Sequence, residues 1–87
     1  MTADKAQVSR LVKTARGQLD GILRMIEEDR YCIDIYNQLM ATENILKRAN
    51  REVLHAHLMH CVKDAAAAGG GEEKLEELSA VLDRLMK

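Results

Sequence analysis

The sequence predicts an all-α fold, a three-helix protomer with a long second helix, in a single domain covering residues 1–87. Proline, phenylalanine and tryptophan are absent, and the apolar residues are leucine, isoleucine, valine, methionine and alanine, a composition that favours helices over strands. The chain between Cys32 and Cys61 contains no proline and no glycine. Because 87 residues bury little apolar area alone, we expect the long helices to pair between copies of the chain.

The first helix is predicted at about residues 4–28. Its apolar side chains recur at steps of three and four residues, which is the spacing of one helix face. They are Val8, Leu11, Val12, Ala15, Leu19, Ile22, Leu23 and Ile26. The polar run 27–30 interrupts this stripe and predicts a turn.

The second helix is predicted at about residues 31–68, since no helix breaker occurs before the three glycines 69–71. Three consecutive glycines are typical of a linker or a helix end. A third helix at about residues 72–86 is indicated by a last set of apolar positions. These are Leu75, Leu78, Val81, Leu82, Leu85 and Met86.

Charge is unevenly distributed along a chain whose formal net charge is −1. Residues 5–19 carry four basic and no acidic side chains, whereas the chain from Asp64 onward carries six acidic and three basic side chains. No secretion signal and no apolar run long enough to span a membrane occurs, so we expect a cytoplasmic protein without a membrane partner. Cysteines are normally reduced in that compartment, which favours metal or redox chemistry over a disulfide.

Cys32, His57 and Cys61 form the clearest candidate site. His57 and Cys61 are four residues apart and share a helix face. Cys32 lies 29 positions before Cys61, about 43 Å along one helix, so one protomer cannot close a three-ligand site. An antiparallel second copy can. Two thiolates and an imidazole suit Cu(I) or Zn(II), although zinc prefers a fourth ligand, for which His55, His60 or a carboxylate is available.

Four stretches of the chain carry a family resemblance. They are residues 16–22 (RGQLDGI), 25–35 (MIEEDRYCIDI), 38–39 (QL) and 57–62 (HLMHCV). On these residues the chain resembles the CsoR/RcnR family of bacterial metal-sensing repressors, most closely its copper(I) sensors. The resemblance implies an antiparallel four-helix-bundle dimer that assembles into a dimer of dimers.

The same resemblance implies a Cu(I) site between subunits, with Cys32 of one protomer and His57 and Cys61 of its neighbour as ligands. Tyr31 and Glu77 match the family's residues that support the ligands. A carboxylate at Glu77 is expected to hydrogen-bond the imidazole and to connect the metal with the third helix.

The resemblance also implies operator DNA as a partner, bound by a basic surface without a helix-turn-helix. The matching residues are Arg10, Lys13, Arg16 and the polar Gln18 on the first helix, and Lys47, Arg48 and Arg51 on the second. Asp20 departs from the family's more basic pattern in this segment. Phosphate contacts of this kind make DNA binding strongly salt-dependent.

The function that the candidate ligands and the resemblance together imply is a homotetrameric, copper(I)-responsive repressor whose apo form binds DNA and is released by Cu(I). Alternatives within the family are sensors of persulfide, aldehyde, or another metal such as nickel or cobalt. Outside it, the alternatives are a copper-buffering protein and a helical interaction module with incidental cysteines. No nucleophile–base pair or substrate pocket is apparent, so neither an enzyme nor a small-molecule substrate is predicted.

Overall fold

The computed structural model describes residues 1–68, 76–77, 79–81 and 83–84. Two helices, α1 (Lys5–Glu27) and α2 (Cys32–Ala68), form its body. Residues 76–77, 79–81 and 83–84 are also helical, and we call them the third-helix segment. These elements confirm the all-α fold with three helices. The other positions predicted for the third helix, and the predicted break at residues 69–71, lie outside the described residues.

Helix α1 begins at a side-chain cap. Asp4 has an extended backbone, and its carboxylate accepts hydrogen bonds from the amides of Ala6, at 3.0 Å, and Gln7, at 3.2 Å. Two of the four amide groups that a helix start leaves without partners are thereby satisfied, and the negative charge lies at the positive end of the helix dipole. The cap explains why the helix starts at this point.

The turn between α1 and α2 is a Schellman motif. The amide of Arg30 donates to the carbonyl of Met25 at 3.0 Å, and that of Asp29 donates to Ile26 at 3.1 Å. Asp29 occupies the left-handed region at φ 51°, which aspartate tolerates better than most residues. The chain reverses within a few residues, so that α2 returns alongside α1.

Few side chains of α1 and α2 are buried. Ala15 and Ile22 on α1, and Thr42, Ala49 and Cys61 on α2, are the buried positions among the described residues. The Thr42 hydroxyl donates to Gln18 Oε1 at 2.8 Å, which joins the two helices by a side-chain hydrogen bond. Small residues make up most of the buried positions, and the Thr42–Gln18 pair joins the two helices.

The protomer is one helix layer thick. Its Cα atoms extend over 58 × 27 × 12 Å, and the last dimension is about one helix diameter. A stripe of large apolar side chains, 42–58% exposed, follows both helices. It comprises Val12, Leu19, Leu23 and Ile26 on α1, and Ile33, Tyr36, Leu39, Met40 and Leu46 on α2. No helix in the described part of the chain is long and apolar enough to cross a membrane.

Candidate metal centre and nucleic-acid interface

His57, Cys61 and Glu77 meet near the carboxyl-terminal end of α2. Cys61 Sγ lies 3.5 Å from His57 Nε2, and Glu77 Oε1 lies 3.2 Å from the same nitrogen. One potential ligand atom from each residue falls within 4.8 Å of the others. The i, i+4 spacing on α2 brings the thiol and the imidazole together, whereas Glu77 reaches them from the third-helix segment.

The contact with Glu77 involves one of the two imidazole nitrogens, Nε2. A neutral histidine that donates its Nε2 hydrogen to a carboxylate keeps a lone pair on Nδ1, and that lone pair can bind a metal ion. In this structure Nε2 faces both Glu77 Oε1 and Cys61 Sγ, so its role as donor or acceptor depends on the tautomer. With the hydrogen on Nε2, Glu77 is a hydrogen-bond acceptor, and its carboxylate is also one of the three potential ligands of this group.

The three side chains differ in their exposure to solvent, and one side of the site is open. Cys61 is only 3% exposed, so its sulfur lies within the helix layer. The side chains of His57 and Glu77 are 47% and 48% exposed. A further ligand from outside the protomer can therefore approach beside the imidazole.

Cys32 and Tyr31 lie at the opposite end of α2. Cys32 is the exposed first residue of the helix, and the Tyr31 carbonyl accepts from the amides of Asp34 and Ile35 at the helix start. Cys32 and Cys61 are 29 positions apart in the sequence and therefore about 43 Å apart along the helix. The structure therefore groups His57, Cys61 and Glu77, and it leaves Cys32 and Tyr31 away from them within one protomer.

The donor set of one protomer fits a soft metal ion only in part. It offers one thiol, one imidazole and one carboxylate, whereas Cu(I) favours sulfur and nitrogen ligands. A second thiolate would complete a sulfur–nitrogen–sulfur set. Cys32 is exposed and free, so it is suited to supply that thiolate to another copy of the chain.

The two remaining histidines lie outside this group. His60 Nε2 is 3.2 Å from Asp64 Oδ2, a contact between consecutive turns of α2. His55 and His60 line a separate shallow cavity with Met59. Neither imidazole belongs to the cluster around His57.

The basic residues predicted to contact DNA are arranged on both helices. Arg10, Lys13 and Arg16 on α1 are exposed, as are Lys47, Arg48 and Arg51 on α2. Gln18 differs from them, because it is half-buried and its carbonyl oxygen accepts from Thr42. Its side chain therefore holds α1 against α2, and only its amide nitrogen remains for another partner.

Sequence reasoning missed a groove between α2 and the third-helix segment. The groove has a volume of about 760 Å³, and one end of it is formed by His57. Its other lining residues are Lys47, Asn50, Arg51, Val53, Leu54, Val81 and Arg84. Helical spacing places Lys47, Arg51 and Leu54 on one face of α2, but no local signal indicates that Arg84 faces them.

The structure is thus a helical layer with a thiol–imidazole–carboxylate group near one end, a free thiol at the other and exposed basic residues on both helices. The chain belongs to the family described as metal-sensitive transcriptional repressor, which matches residues 4–84. This membership supports a regulatory rather than an enzymatic role.

Individual relatives agree with the family assignment. The copper-sensing transcriptional repressor CsoR of Mycobacterium tuberculosis (strain ATCC 25618 / H37Rv) is 46% identical over 78 residues, which cover 90% of this chain. The match spans 66% of that relative, just under two thirds of its length.

Two solved structures share the fold. The nickel-responsive transcriptional regulator InrS superposes with a TM-score of 0.86 at 29% identity, covering 98% of this chain and 96% of that one. The copper-sensing repressor CsoR with Cu(I) from Geobacillus thermodenitrificans NG80-2 has a TM-score of 0.82 at 33% identity. That match covers 100% of this chain and 94% of the other.

Proposed function

We propose that this protein is a cytoplasmic, copper(I)-responsive transcriptional repressor. The observation that carries the proposal is the arrangement of thiols on α2. His57 and Cys61 form an open pair at one end of a continuous helix, and Cys32 is exposed at the other end. Two copies in antiparallel orientation place Cys32 of the partner subunit beside that pair, which yields a site with two thiolates and one imidazole.

The uncovered apolar face supports pairing between copies. A layer 12 Å thick buries each helix on one side only, and the apolar stripe on α1 and α2 then remains in contact with water. Two such layers pack face to face as a four-helix bundle and remove both stripes from solvent. We propose a homodimer of this kind, assembled further into a homotetramer.

The chemistry of the proposed ligand set suits Cu(I). Thiolates and imidazole are soft to borderline ligands, and three of them suit a monovalent copper ion that accepts low coordination numbers. Bound Cu(I) would join two protomers through their ligands and so act on the quaternary structure. Tyr31 precedes Cys32 in the sequence, and Glu77 contacts the His57 side chain. Both would lie beside the metal without binding it.

DNA binding is proposed to use the exposed basic side chains. Those on α1 are Arg10, Lys13 and Arg16, and those on α2 are Lys47, Arg48 and Arg51. Gln18 stays a proposed polar contact through its amide nitrogen. Cu(I) lowers the affinity for DNA in this scheme, and by linkage DNA lowers the affinity for Cu(I) by the same factor.

A second candidate is a sensor of another metal within the same family. The observation that favours it is the high structural similarity to a nickel-responsive regulator. The group of one protomer contains an imidazole and a carboxylate beside its thiol, so it offers nickel more nitrogen and oxygen donors than a pure thiolate site does. The thiolate-rich set proposed here favours Cu(I) over nickel.

The test is a Cu(I) titration of the reduced protein bound to a fluorescent duplex from its own upstream DNA, followed by anisotropy. Release at about one Cu(I) per protomer supports the proposal. Substitution His57→Gln is expected to abolish release, while His60→Gln, three residues away and held by Asp64, should behave like the wild type. Release by nickel instead would favour the second candidate, and the absence of DNA binding would favour a copper buffer.

A further inference from the structure

The groove between α2 and the third-helix segment has the character of an anion-binding surface. Three cations line it, Lys47, Arg51 and Arg84, and Asn50 adds an amide donor. No acidic side chain of the described residues lines it. The ion pairs found in the described part of the chain involve other residues, so these three cations have no carboxylate partner there.

We infer that this groove binds the phosphate backbone of DNA and that Arg84 is a DNA contact on the third-helix segment. The inference rests on the proposed function as a repressor and deepens it. Lys47 and Arg51 are four residues apart on α2, about 6 Å along the helix, and Arg84 lines the groove from the third-helix segment. Six ångströms is roughly the axial rise of two nucleotides in one strand. Neighbouring phosphates of one DNA strand match this spacing, with one phosphate for the α2 cations and the next within reach of Arg84.

The walls of the groove favour contacts with phosphate. Val53, Leu54 and Val81 are half-buried apolar side chains between the cations. An apolar surface lowers the local dielectric constant and strengthens the attraction between a guanidinium and a phosphate. The planar guanidinium of arginine also offers two parallel hydrogen bonds to phosphate oxygens.

Arg84 lies on the same helix face as the carboxylate that contacts the metal-site imidazole. Glu77, Val81 and Arg84 follow the i, i+4, i+7 spacing of a face, and all three point toward α2. The Glu77–His57 contact therefore helps to seat the segment that carries Arg84. A change at His57 that moves this segment would shift Arg84 relative to Lys47 and Arg51.

The test compares Arg84→Gln with Lys63→Gln, a control that removes one positive charge from an exposed position of α2 outside the groove. Binding to the upstream duplex and to a random duplex of equal length is measured without metal over a range of salt concentrations. For Arg84→Gln we expect affinity to fall about tenfold on both duplexes. The slope of log K against log salt should shrink by about 0.9 for each Arg84 that touches DNA. Arg84→Lys should retain most of the slope.

Several outcomes separate this inference from the proposed function. If the wild type binds and Cu(I) releases it, but Arg84→Gln keeps the wild-type slope, the groove inference is wrong and the repressor stands. A loss confined to the upstream duplex also contradicts a phosphate contact. A wild type that does not bind DNA contradicts both. Helix content by circular dichroism and Cu(I) stoichiometry identify a misfolded variant. If Arg84→Gln misfolds, the salt dependence of Arg84→Lys tests the inference instead, and loss of most of the slope in a folded Arg84→Lys protein contradicts a phosphate contact.

Discussion

The contact between Glu77 and His57 allows a quantitative prediction about metal affinity. Substitution Glu77→Gln keeps the size of the side chain and an oxygen acceptor but removes the charge that faces His57 Nε2 at 3.2 Å. Removal of such a supporting group typically costs 10- to 100-fold in metal affinity. Both side chains are about half exposed, so water screens the interaction and the lower end of the range applies.

We therefore expect Glu77→Gln to weaken Cu(I) binding about tenfold, which corresponds to about 1.4 kcal/mol. The assay is competition between the reduced protein and a chromophoric Cu(I) chelator. The matched control is Glu76→Gln, which removes the same charge from the neighbouring exposed residue and should leave the affinity unchanged. Equal Cu(I) affinity for both variants and the wild type would refute the reasoning that Glu77 orients the imidazole.

Two further predictions concern stability and assembly. Asp4→Ala removes the acceptor that caps α1 and should lower the free energy of unfolding by about 1 kcal/mol in chemical denaturation, and Asp4→Asn should recover most of it. Leu23→Glu places a charge in the exposed apolar stripe and should shift the light-scattering mass toward the 9.8 kDa of one chain. The control Thr14→Glu, on the opposite face of α1, should retain the mass of the wild type, and an unchanged mass for Leu23→Glu would argue against pairing through this stripe.

The helices were predictable because their signals are local. The apolar stripe predicts the first helix at about residues 4–28, and the structure has Lys5–Glu27. The ends follow from side chains near the boundary, namely the capping carboxylate of Asp4 and the left-handed conformation of Asp29. The pairing of His57 with Cys61 is local in the same sense, since it depends only on the pitch of one helix.

Features that depend on packing between helices were harder to predict from the sequence. In the sequence, Gln18 is a polar residue close to basic ones. Its role differs because α2 packs against α1 and the Thr42 hydroxyl donates to its side-chain oxygen. Spacing alone does not place Glu77 beside His57; the family resemblance suggested it, and the structure shows the contact. Arg84 had no signal at all, because its position depends on how the third-helix segment lies against α2.

The unbroken length of α2 also has an evolutionary consequence. Twenty-nine residues are about eight helical turns, so Cys32 and Cys61 lie on nearly the same side of one continuous helix. One inserted residue between them would rotate one thiol by about 100° relative to the other and displace it by about 1.5 Å. In two antiparallel copies the same misalignment would affect both proposed metal sites, one at each end of the paired helices. Insertions and deletions within this stretch should therefore be rare among relatives that retain both cysteines, whereas length changes should collect near the chain termini.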